Sequence, residues 1–452
     1  MGNGESFKDG ISRRRFLEGA VAGALGLSGL AALAGCQPQT SVPVAGATKA
    51  PEGTAPAQVK TKAEGNVKYL TWWWAETGRN DVWRTFVKDF QGENPGITIQ
   101  EVSIPFSQYG DTVATQFATG AVNADLMSAT DDFFIKLQAT NLLFNLDKVV
   151  DYGQYKDRLE AENDAAVKDG NRYGFAVATV PHALIYNKSL YDANGITKPP
   201  TTPDEYLAVG EKIQKAPDIY GFAARNTIPE AVGWFVDLCN YVYGFGGRWS
   251  TKDGKPALDS KEVIAAMTFF KKLYDSPAFP RGATAGDYRK MAWQGKLGEY
   301  IDNGANMNIL KTGNPEVFKD IRTDAPPFEN KAAVFQGQYL CIPAKAQNPS
   351  AAGRVLEYFL RPEVQTKMAV SALDVKGTLK DILPKDYLEK NVWTKGYLLS
   401  KTVTLVPTGF ETKVPEFRKI VTDTMSQVLS ANKPVADAMG EAQKQAEALA
   451  QR

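Results

Sequence analysis

The sequence predicts an α/β fold with a mostly parallel sheet, because strand-like and helix-like segments alternate along the chain after residue 66. Residues 67–73 alternate β-branched, aromatic and polar side chains, which is typical of a strand. Residues 80–91 place apolar side chains at helical spacing, and residues 97–102 return to strand alternation. Repeated strand–helix–strand units of this kind place helices against a parallel sheet.

Further elements follow the same pattern. Thr201 or Thr202 can cap a helix that begins near Pro203. The other expected elements are a helix at 107–119, a short strand at 125–127, an apolar run at 173–186 and helices at 230–243, 260–274, 351–360 and 435–450.

Length and composition limit the class of protein. A chain of 452 residues exceeds what one hydrophobic core organises, so more than one lobe or domain is expected. The 43% hydrophobic content is typical of a globular protein, and the net charge of +1 gives no basis for nucleic-acid binding.

The N-terminus has the features of an export signal. Residues 12–17, with the sequence SRRRFL, resemble a twin-arginine signal, and the apolar stretch 19–34 follows. The stretch ends in LAGC, which resembles a bacterial lipobox and implies cleavage after residue 35 and lipidation of Cys36. Two alternatives remain open: an uncleaved membrane anchor, and N-myristoylation at Gly2. Residues 36–65 are rich in Pro, Ala, Thr and Gly and are predicted to form a flexible tether.

Enzyme motifs are scarce in this sequence. His182 is the only histidine, and the sequence lacks nucleophile-elbow, metal-ligand and phosphate-loop motifs, so we expect no metal and no cofactor. A surface glycoside hydrolase, in which two carboxylates cleave a glycosidic bond, remains an alternative. Cys239 and Cys341 are interpreted as small buried side chains, with a disulfide as the alternative.

Several segments, in order, resemble the family 1 extracellular solute-binding proteins, which include maltose- and oligosaccharide-binding proteins. The segments are NPGI at 94–97, ADLMSATDD at 124–132, YGF at 173–175, LIYNKSLY at 184–191, NGI at 194–196, PTTPDEY at 200–206, GQYLCIP at 337–343 and LRPEVQ at 360–365. The likeness spans roughly residues 67–449.

The resemblance implies a two-lobed periplasmic-binding-protein type II-like fold, with a hinge and a ligand cleft between the lobes. We expect an N-terminal lobe from 66–178 plus 335–380 and a C-terminal lobe from 179–334 plus 381–452. The chain would cross near 177–181, 332–336 and 377–383. The implied function is capture of a sugar by a monomeric, membrane-anchored protein that delivers it to the permease subunits of an ABC importer; a polyamine or a phosphorylated polyol is the alternative solute.

The first ligand-binding candidates follow the first and third predicted strands. Trp74 and Glu76 come at the carboxyl end of the first strand, where open α/β sheets bind ligands. Asp131 and Asp132 match the family's ligand loop, and carboxylates accept charge-assisted hydrogen bonds from hydroxyls. The alternatives are core packing for the tryptophan and helix capping for the aspartates.

The remaining candidates follow from the resemblance and from their place near the predicted crossings. They are His182, Trp234, Asn303, Asn306, Gln338 and Tyr339. Asn306 stands where the family often has an aromatic residue, which predicts a smaller or more hydrogen-bonding second wall. A structural histidine and a core tryptophan are the alternatives for His182 and Trp234.

Overall fold

The computed structural model describes residues 63–76, 79–214, 218–304, 306–372 and 376–452. All of them belong to the compact unit Lys60–Arg452. The predicted signal peptide 1–35, Cys36 and nearly all of the predicted tether 36–65 lie outside the described residues. Within the described ranges, no helix combines the length and the apolar character needed to cross a membrane.

Among the described residues, nine strands form one mixed sheet and two form a separate hairpin. The strands are β1 Gly65–Thr71, β2 Ile97–Ser103, β3 Leu126–Thr130, β4 Val167–Lys168, β5 Asn171–Arg172, β6 Gly174–Asn187, β7 Tyr220–Ala223, β8 Leu297–Asn303, β9 Ile321–Asp324, β10 Ala332–Cys341 and β11 Lys401–Thr404. The order is β2-β1-β3-β10-β6-β8-β7, with β11 beside β10 and β9 beside β6.

Helices cover both faces of this sheet. They are α1 Arg79–Glu93, α2 Phe106–Thr119, α3 Asp131–Ala139, α4 Lys188–Ala193, α5 Pro203–Ile213, α6 Ala231–Gly244, α7 Lys261–Asp275, α8 Ala285–Trp293, α9 Asn306–Gly313, α10 Pro315–Phe318, α11 Pro349–Phe359, α12 Pro362–Ala372, α13 Lys385–Lys390, α14 Lys395–Leu399, α15 Val414–Ala431 and α16 Val435–Ala450.

Two long strands divide the sheet into two lobes. Residues 174–181 of β6 pair with residues 335–341 of β10, whereas residues 182–187 of β6 pair with β8 and β9. We call the part built on β1, β2 and β3 the first lobe, and the part built on β7, β8 and β9 the second lobe. A two-lobed α/β architecture was predicted, and the structure confirms it. The expected mostly parallel sheet is wrong, because β10 and β6 run antiparallel to each other and to β3, β8 and β9 beside them.

Each lobe has its own packed helices. In the first lobe, α1 buries Trp83, Phe86 and Phe90, which recur at helical spacing. In the second lobe, α15 packs on α6, where the ring centroids of Phe235 and Phe417 lie 6.5 Å apart. The lobe boundaries assigned by residue number stay a prediction.

Most predicted helices begin and end within two residues of their observed bounds. The predicted cap is correct, because the Thr202 hydroxyl accepts the Glu205 N–H at 3.2 Å at the start of α5. The free thiols of Cys239 and Cys341 are both buried, as expected. Burial raises the pKa of the Cys239 thiol to about 12, although the Trp249 indole N–H donates to it at 3.2 Å.

The first strand was predicted two residues too far along the chain, at 67–73 instead of Gly65–Thr71. It ends at Thr71, because its partner β2 ends opposite it at Ser103 and the Thr71 hydroxyl accepts the Trp73 N–H at 3.2 Å. The next residues, Trp73–Ala75, form a 3-10 turn, so the expected alternation of the tryptophans across a strand does not hold. Trp72, Trp73 and Trp74 are all buried.

A buried acid in the second lobe generates a prediction about stability. Glu299 of β8 is fully buried; its Oε2 accepts the Tyr191 hydroxyl, and its Oε1 has no partner among the described residues. Burial raises the pKa of Glu299 well above its usual range, and the Tyr191 hydrogen bond opposes this only in part. The folded state therefore holds a proton that the unfolded chain releases above about pH 4.3.

We predict that Glu299→Gln gains stability relative to the unaltered protein as pH rises from 5 to 8. The unaltered protein loses up to about 1.4 kcal/mol per pH unit while Glu299 is protonated only in the folded state, and the glutamine removes this loss. Urea-unfolding midpoints of both proteins at several pH values measure the difference in their stability. The other acids are common to both proteins, so their effects cancel in this difference.

The matched control is Glu389→Gln on exposed α13, which should change the midpoint little at any pH. A Glu299→Gln variant that is destabilised equally at pH 5 and pH 8 would contradict the prediction.

Candidate functional site

A cavity of about 430 Å³ lies between the two lobes, where β6 and β10 pass from one to the other. Its volume is within the range of small-molecule sites, about 300–1,000 Å³. Its lining residues are Trp72, Glu76, Phe106, Thr130, Asp131, Asp132, Val180, Val232, Phe235, Val236, Asn303, Gln336, Gly337, Gln338, Leu405 and Arg418. The mouth is open to solvent, since Phe106 is 58% exposed and Val232 is 59% exposed.

Two carboxylates form the first-lobe wall at the junction of β3 and α3. Asp132 Oδ1 accepts the Thr130 hydroxyl at 2.7 Å and the Phe133 N–H at 2.9 Å. Asp131 is buried, and its Oδ2 has no partner among the described residues. Burial, and then the charge of Asp132, raise the pKa of Asp131 well above its usual range, although backbone N–H groups including that of Gly337 favour the ionised form.

Two amide side chains extend this set of polar groups across the crossing strands. Asn303 ends β8, and its Nδ2 donates to Gln336 Oε1 at 3.4 Å. Asn303 Oδ1 and Gln338 Oε1 are buried without a partner among the described residues. Together with Asp131 Oδ2 they give the residues that line the cavity three buried acceptors without a partner, and an unpaired buried polar group costs about 1–3 kcal/mol. A solute that donates hydrogen bonds would satisfy them.

Aromatic and aliphatic side chains provide the remaining surface. Trp72 and Phe106 of the first lobe make an edge contact with centroids 5.4 Å apart. From the second lobe, α6 presents Val232, Phe235 and Val236, which share one helix face because they are three and four residues apart. Such surfaces pack against the C–H faces of a polar solute.

A buried charge network lies beneath Asn303. The Asp302 carboxylate accepts Arg289 Nε at 2.8 Å and Nη2 at 3.0 Å, the Tyr288 hydroxyl at 3.1 Å and the Asn303 N–H at 2.8 Å. Burial opposes ionisation of Asp302, but the charge of Arg289 and its two hydrogen bonds outweigh it and hold the pKa of Asp302 below its usual range. A paired, hydrogen-bonded carboxylate of this kind fixes the end of β8.

A second buried pair lies beside this network. Arg225 Nη1 donates to Asp237 Oδ1 at 2.7 Å, and the Arg225 N–H donates to Oδ2 at 2.8 Å. Burial raises the pKa of Asp237 to about 6, while the charge of Arg225 counteracts the increase. Both arginines of this lobe's interior therefore have acidic partners.

The cavity brings together five of the predicted site residues. They are Glu76, Asp131, Asp132, Asn303 and Gln338. Their contact with a ligand stays a prediction.

Trp74 and Tyr339 do not line this cavity, and their contact with a ligand stays a prediction. The Trp74 indole N–H donates to the Tyr69 carbonyl at 2.9 Å, so this ring packs beneath β1. The Tyr339 ring stacks on Phe134 at 4.3 Å, and its hydroxyl donates to the Glu162 carbonyl at 3.0 Å. Both side chains belong to the interior of the first lobe.

His182, Trp234 and Asn306 also lie outside the cavity lining, in the interior of the second lobe. Asn306 Nδ2 donates to the Tyr300 hydroxyl at 2.7 Å and to Asp302 Oδ2 at 3.2 Å, which makes it part of the network beneath Asn303. Asn306 is expected from the sequence to lie on the second wall, but it is not among the residues that line the cavity. Trp234 is on a different face of α6 from Val232, Phe235 and Val236.

His182 is held in its neutral form. Its Nδ1 lies 3.0 Å from Asn240 Nδ2, and Asn240 Oδ1 accepts the Val334 N–H at 3.0 Å, so Asn240 Nδ2 donates to the ring. Burial lowers the pKa of His182 to about 4, which agrees with a neutral imidazole that carries its proton on Nε2. The structural alternative for this histidine fits these contacts.

Sequence reasoning missed much of the second-lobe wall. The unpredicted lining residues include Phe235, Arg418, Leu405 and Gln336. The spacing of Val232, Phe235 and Val236 is the one sequence pattern that indicates a shared helix face. The same spacing is equally typical of a helix face that packs in the hydrophobic core. The described residues contain no cluster of three or more side chains suited to a metal ion.

Residues 74–366 match the model of the bacterial extracellular solute-binding protein family. A putative binding protein of Brucella abortus is 25% identical over 288 residues, which cover 62% of this chain and 68% of the relative. An ABC transporter extracellular-binding protein of Pyrococcus horikoshii, itself uncharacterized, is 24% identical over 355 residues, which cover 76% of this chain and 79% of that relative.

Solved structures share the fold. A solute-binding protein of Thermotoga lettingae, bound with α-D-tagatose, has a TM-score of 0.72 and 22% identity, and the match covers 85% of this chain and 99% of that one. Maltose-bound MalE3 of T. maritima has a TM-score of 0.71 and 19% identity, with the same coverage. With the family model matching more than half of its length, this chain belongs to the bacterial extracellular solute-binding protein family.

Proposed function

We propose that this chain is a lipid-anchored, extracytoplasmic solute-binding protein of an ABC importer, and that it captures a sugar or oligosaccharide by closing its two lobes. The observation that carries the sugar assignment is the pairing of three buried unsatisfied acceptors with aromatic rings in one interlobe cavity. Sugar hydroxyls donate to such acceptors, and the C–H faces of a sugar ring pack on Trp72, Phe106 or Phe235.

The relatives support this assignment. The Thermotoga lettingae protein binds tagatose, MalE3 of T. maritima binds maltose, and a solute-binding protein of Agrobacterium vitis binds D-mannitol. These solutes are neutral and polyhydroxylated. The related protein of Pyrococcus horikoshii is named for an ABC transporter, which supports the importer and its permeases as partners.

Lobe closure is supported by the strands that join the lobes. On β6, Pro181 pairs with Phe335 of β10, and the next residue, His182, pairs with Asn303 of β8. A third connection runs beside them, since Thr179 bridges Lys376. Small backbone rotations at such a short junction can move one lobe relative to the other.

Membrane attachment is proposed from the sequence of the N-terminus. The twin-arginine motif, the apolar stretch and the lipobox stand in the order that export and lipidation need, and Cys36 would carry the lipid. Two or more acyl chains hold a protein stably on a membrane, whereas one does not. A relative from Bacillus subtilis is named a lipoprotein, which supports the same assignment.

We predict that Asp131→Asn weakens binding of the cognate sugar about 10- to 100-fold, because a missing partner for a buried hydroxyl costs about 1–3 kcal/mol. In the variant, the asparagine carbonyl oxygen accepts the Gly337 N–H, as an oxygen of Asp131 does in the unaltered protein. The NH₂ group, which is a donor, then occupies the position where the solute needs an acceptor. A thermal-shift panel of neutral and acidic mono- and oligosaccharides identifies the sugar, and calorimetric titration measures the loss.

Asp253→Asn is the matched control, since Asp253 is exposed and does not line the cavity. This variant should bind the sugar as tightly as the unaltered protein does. Stabilisation of the fold by amino acids or polyamines alone would refute the sugar assignment. Release of shorter sugars from an oligosaccharide would indicate a hydrolase instead.

We predict that Cys36→Ala moves the exported protein from the membrane fraction to the soluble extracytoplasmic fraction. The substitution removes the thiol that would carry the lipid. Cell fractionation and the mass of the mature N-terminal peptide measure the change. Cys341→Ala should remain in the membrane fraction, and a Cys36→Ala protein that stays there would contradict lipidation at Cys36.

A further inference from the structure

Arg418 is the one cationic side chain among the described residues that line the interlobe cavity. It is on α15, one residue after Phe417, whose ring packs against Phe235 of the cavity-lining helix α6. Its neighbours along this wall, including Phe235, Val236 and Leu405, are apolar. Among the described lining residues, the second lobe thus presents one positive charge beside the amide of Asn303 and several apolar side chains.

Arg418 has no acidic partner in the described part of the chain. The nearby arginines of the same lobe differ from it: Arg225 pairs with Asp237 at 2.7 Å and with Glu230 at 3.3 Å, and Arg289 pairs with Asp302 at 2.8 Å. Neither a side-chain hydrogen bond nor an ion pair holds the Arg418 guanidinium within the described ranges.

Three acids line the opposite wall, Glu76, Asp131 and Asp132, and two of them already interact within their own lobe. Asp131 and Asp132 occupy the first turn of α3, where the helix dipole favours negative charge. Asp132 also accepts the Thr130 hydroxyl at 2.7 Å and the Phe133 N–H at 2.9 Å. Asp132 is therefore poorly suited to serve as the partner of Arg418, and the titrations of Arg418→Gln distinguish a closure contact with Asp131 or Glu76 from binding of an anionic solute.

Closure of the lobes would remove water from Arg418, and burying an unpaired charge is strongly unfavourable. A solute that carries an anionic group removes this penalty, because a guanidinium binds a carboxylate or a phosphate with two parallel hydrogen bonds. The hydroxyls of the same solute would donate to Asp131 Oδ2, Asn303 Oδ1 and Gln338 Oε1, which have no other partner among the described residues.

We infer that the cleft takes a polyhydroxylated solute bearing a carboxylate or a phosphate, and that Arg418 binds this anionic group. The inference rests on the proposed sugar-binding function and narrows the solute from sugars in general to those that carry an acidic group. Arg418 is the specificity-determining residue, while the acceptors of the first lobe and of Asn303 recognise the hydroxyls.

Matched pairs of probes test the inference: D-glucuronate against D-glucose, D-galacturonate against D-galactose, and glycerol 3-phosphate against glycerol. Each is titrated by calorimetry into the mature protein, its Arg418→Gln and Arg418→Lys variants, and the control Lys419→Gln, whose side chain is exposed and pairs with Asp423. The uronates and the phosphate separate a carboxylate ligand from a phosphate ligand. Unfolding midpoints without solute verify that each variant folds.

We expect at least one acidic probe to bind about tenfold or more tightly than its neutral partner. Arg418→Gln should remove that preference, Arg418→Lys should keep part of it because a lysine retains the charge without the planar fork, and Lys419→Gln should keep all of it. Loss of the preference at higher ionic strength would agree with a charge-based contact.

Two results would overturn the inference. The first is a neutral sugar that binds more tightly than its acidic partner. The second is an equal loss of neutral and acidic binding in Arg418→Gln, which would make Arg418 a closure contact with an acid of the first lobe. Both leave the sugar-binding proposal intact, whereas failure of every neutral and acidic carbohydrate to bind overturns the proposed function itself.

Discussion

The pairing of β6 with β10 is the constraint on which the rest of this structure depends. The two strands are hydrogen-bonded from Phe335 opposite Pro181 to Cys341 opposite Gly174, and each then continues with different partners. Because one pair of strands belongs to both lobes, the lobes are joined by main-chain hydrogen bonds and not only by flexible loops. The register also decides which side chains meet, since it brings Gln336 and Gln338 to the same cavity as Asn303.

The chemistry of the cavity depends on groups behind its surface. Asp302 is ionised within the second lobe because Arg289 lies against it, and it holds the backbone of Asn303 in place. Asn306 donates to Asp302 within this network, and Asn240 donates to the ring of His182 beside it. A buried charge that is paired and hydrogen-bonded in this way can fix a side chain at a site without facing the solute. The interior of the second lobe thus supports a wall made largely of apolar side chains.

The periodicity of the sequence predicted the helices well, because long amphipathic segments carry a strong local signal. It failed at the tryptophan cluster, where a 3-10 turn replaces the end of a strand, because the length of β1 is set by β2 and not by its own residues. The resemblance to a family indicated Asp131, Asp132 and Asn303, which line the cavity, and also Asn306, which lies in the buried network of Asp302. A local motif cannot reveal whether a polar side chain at the end of a strand faces a cleft or a buried arginine.

The sequence by itself determined the α/β alternation, the family and the acidic loop after β3, because each is encoded by residues close together in the chain. Only the tertiary structure decided which side chains share the cavity. Phe235 and Gln336 lie far apart in the sequence, and Arg418 lies farther still from Asp131, yet all four line the same space. The crossing of β6 and β10 brings them together, and strand register and helix packing act over distances that no local pattern records.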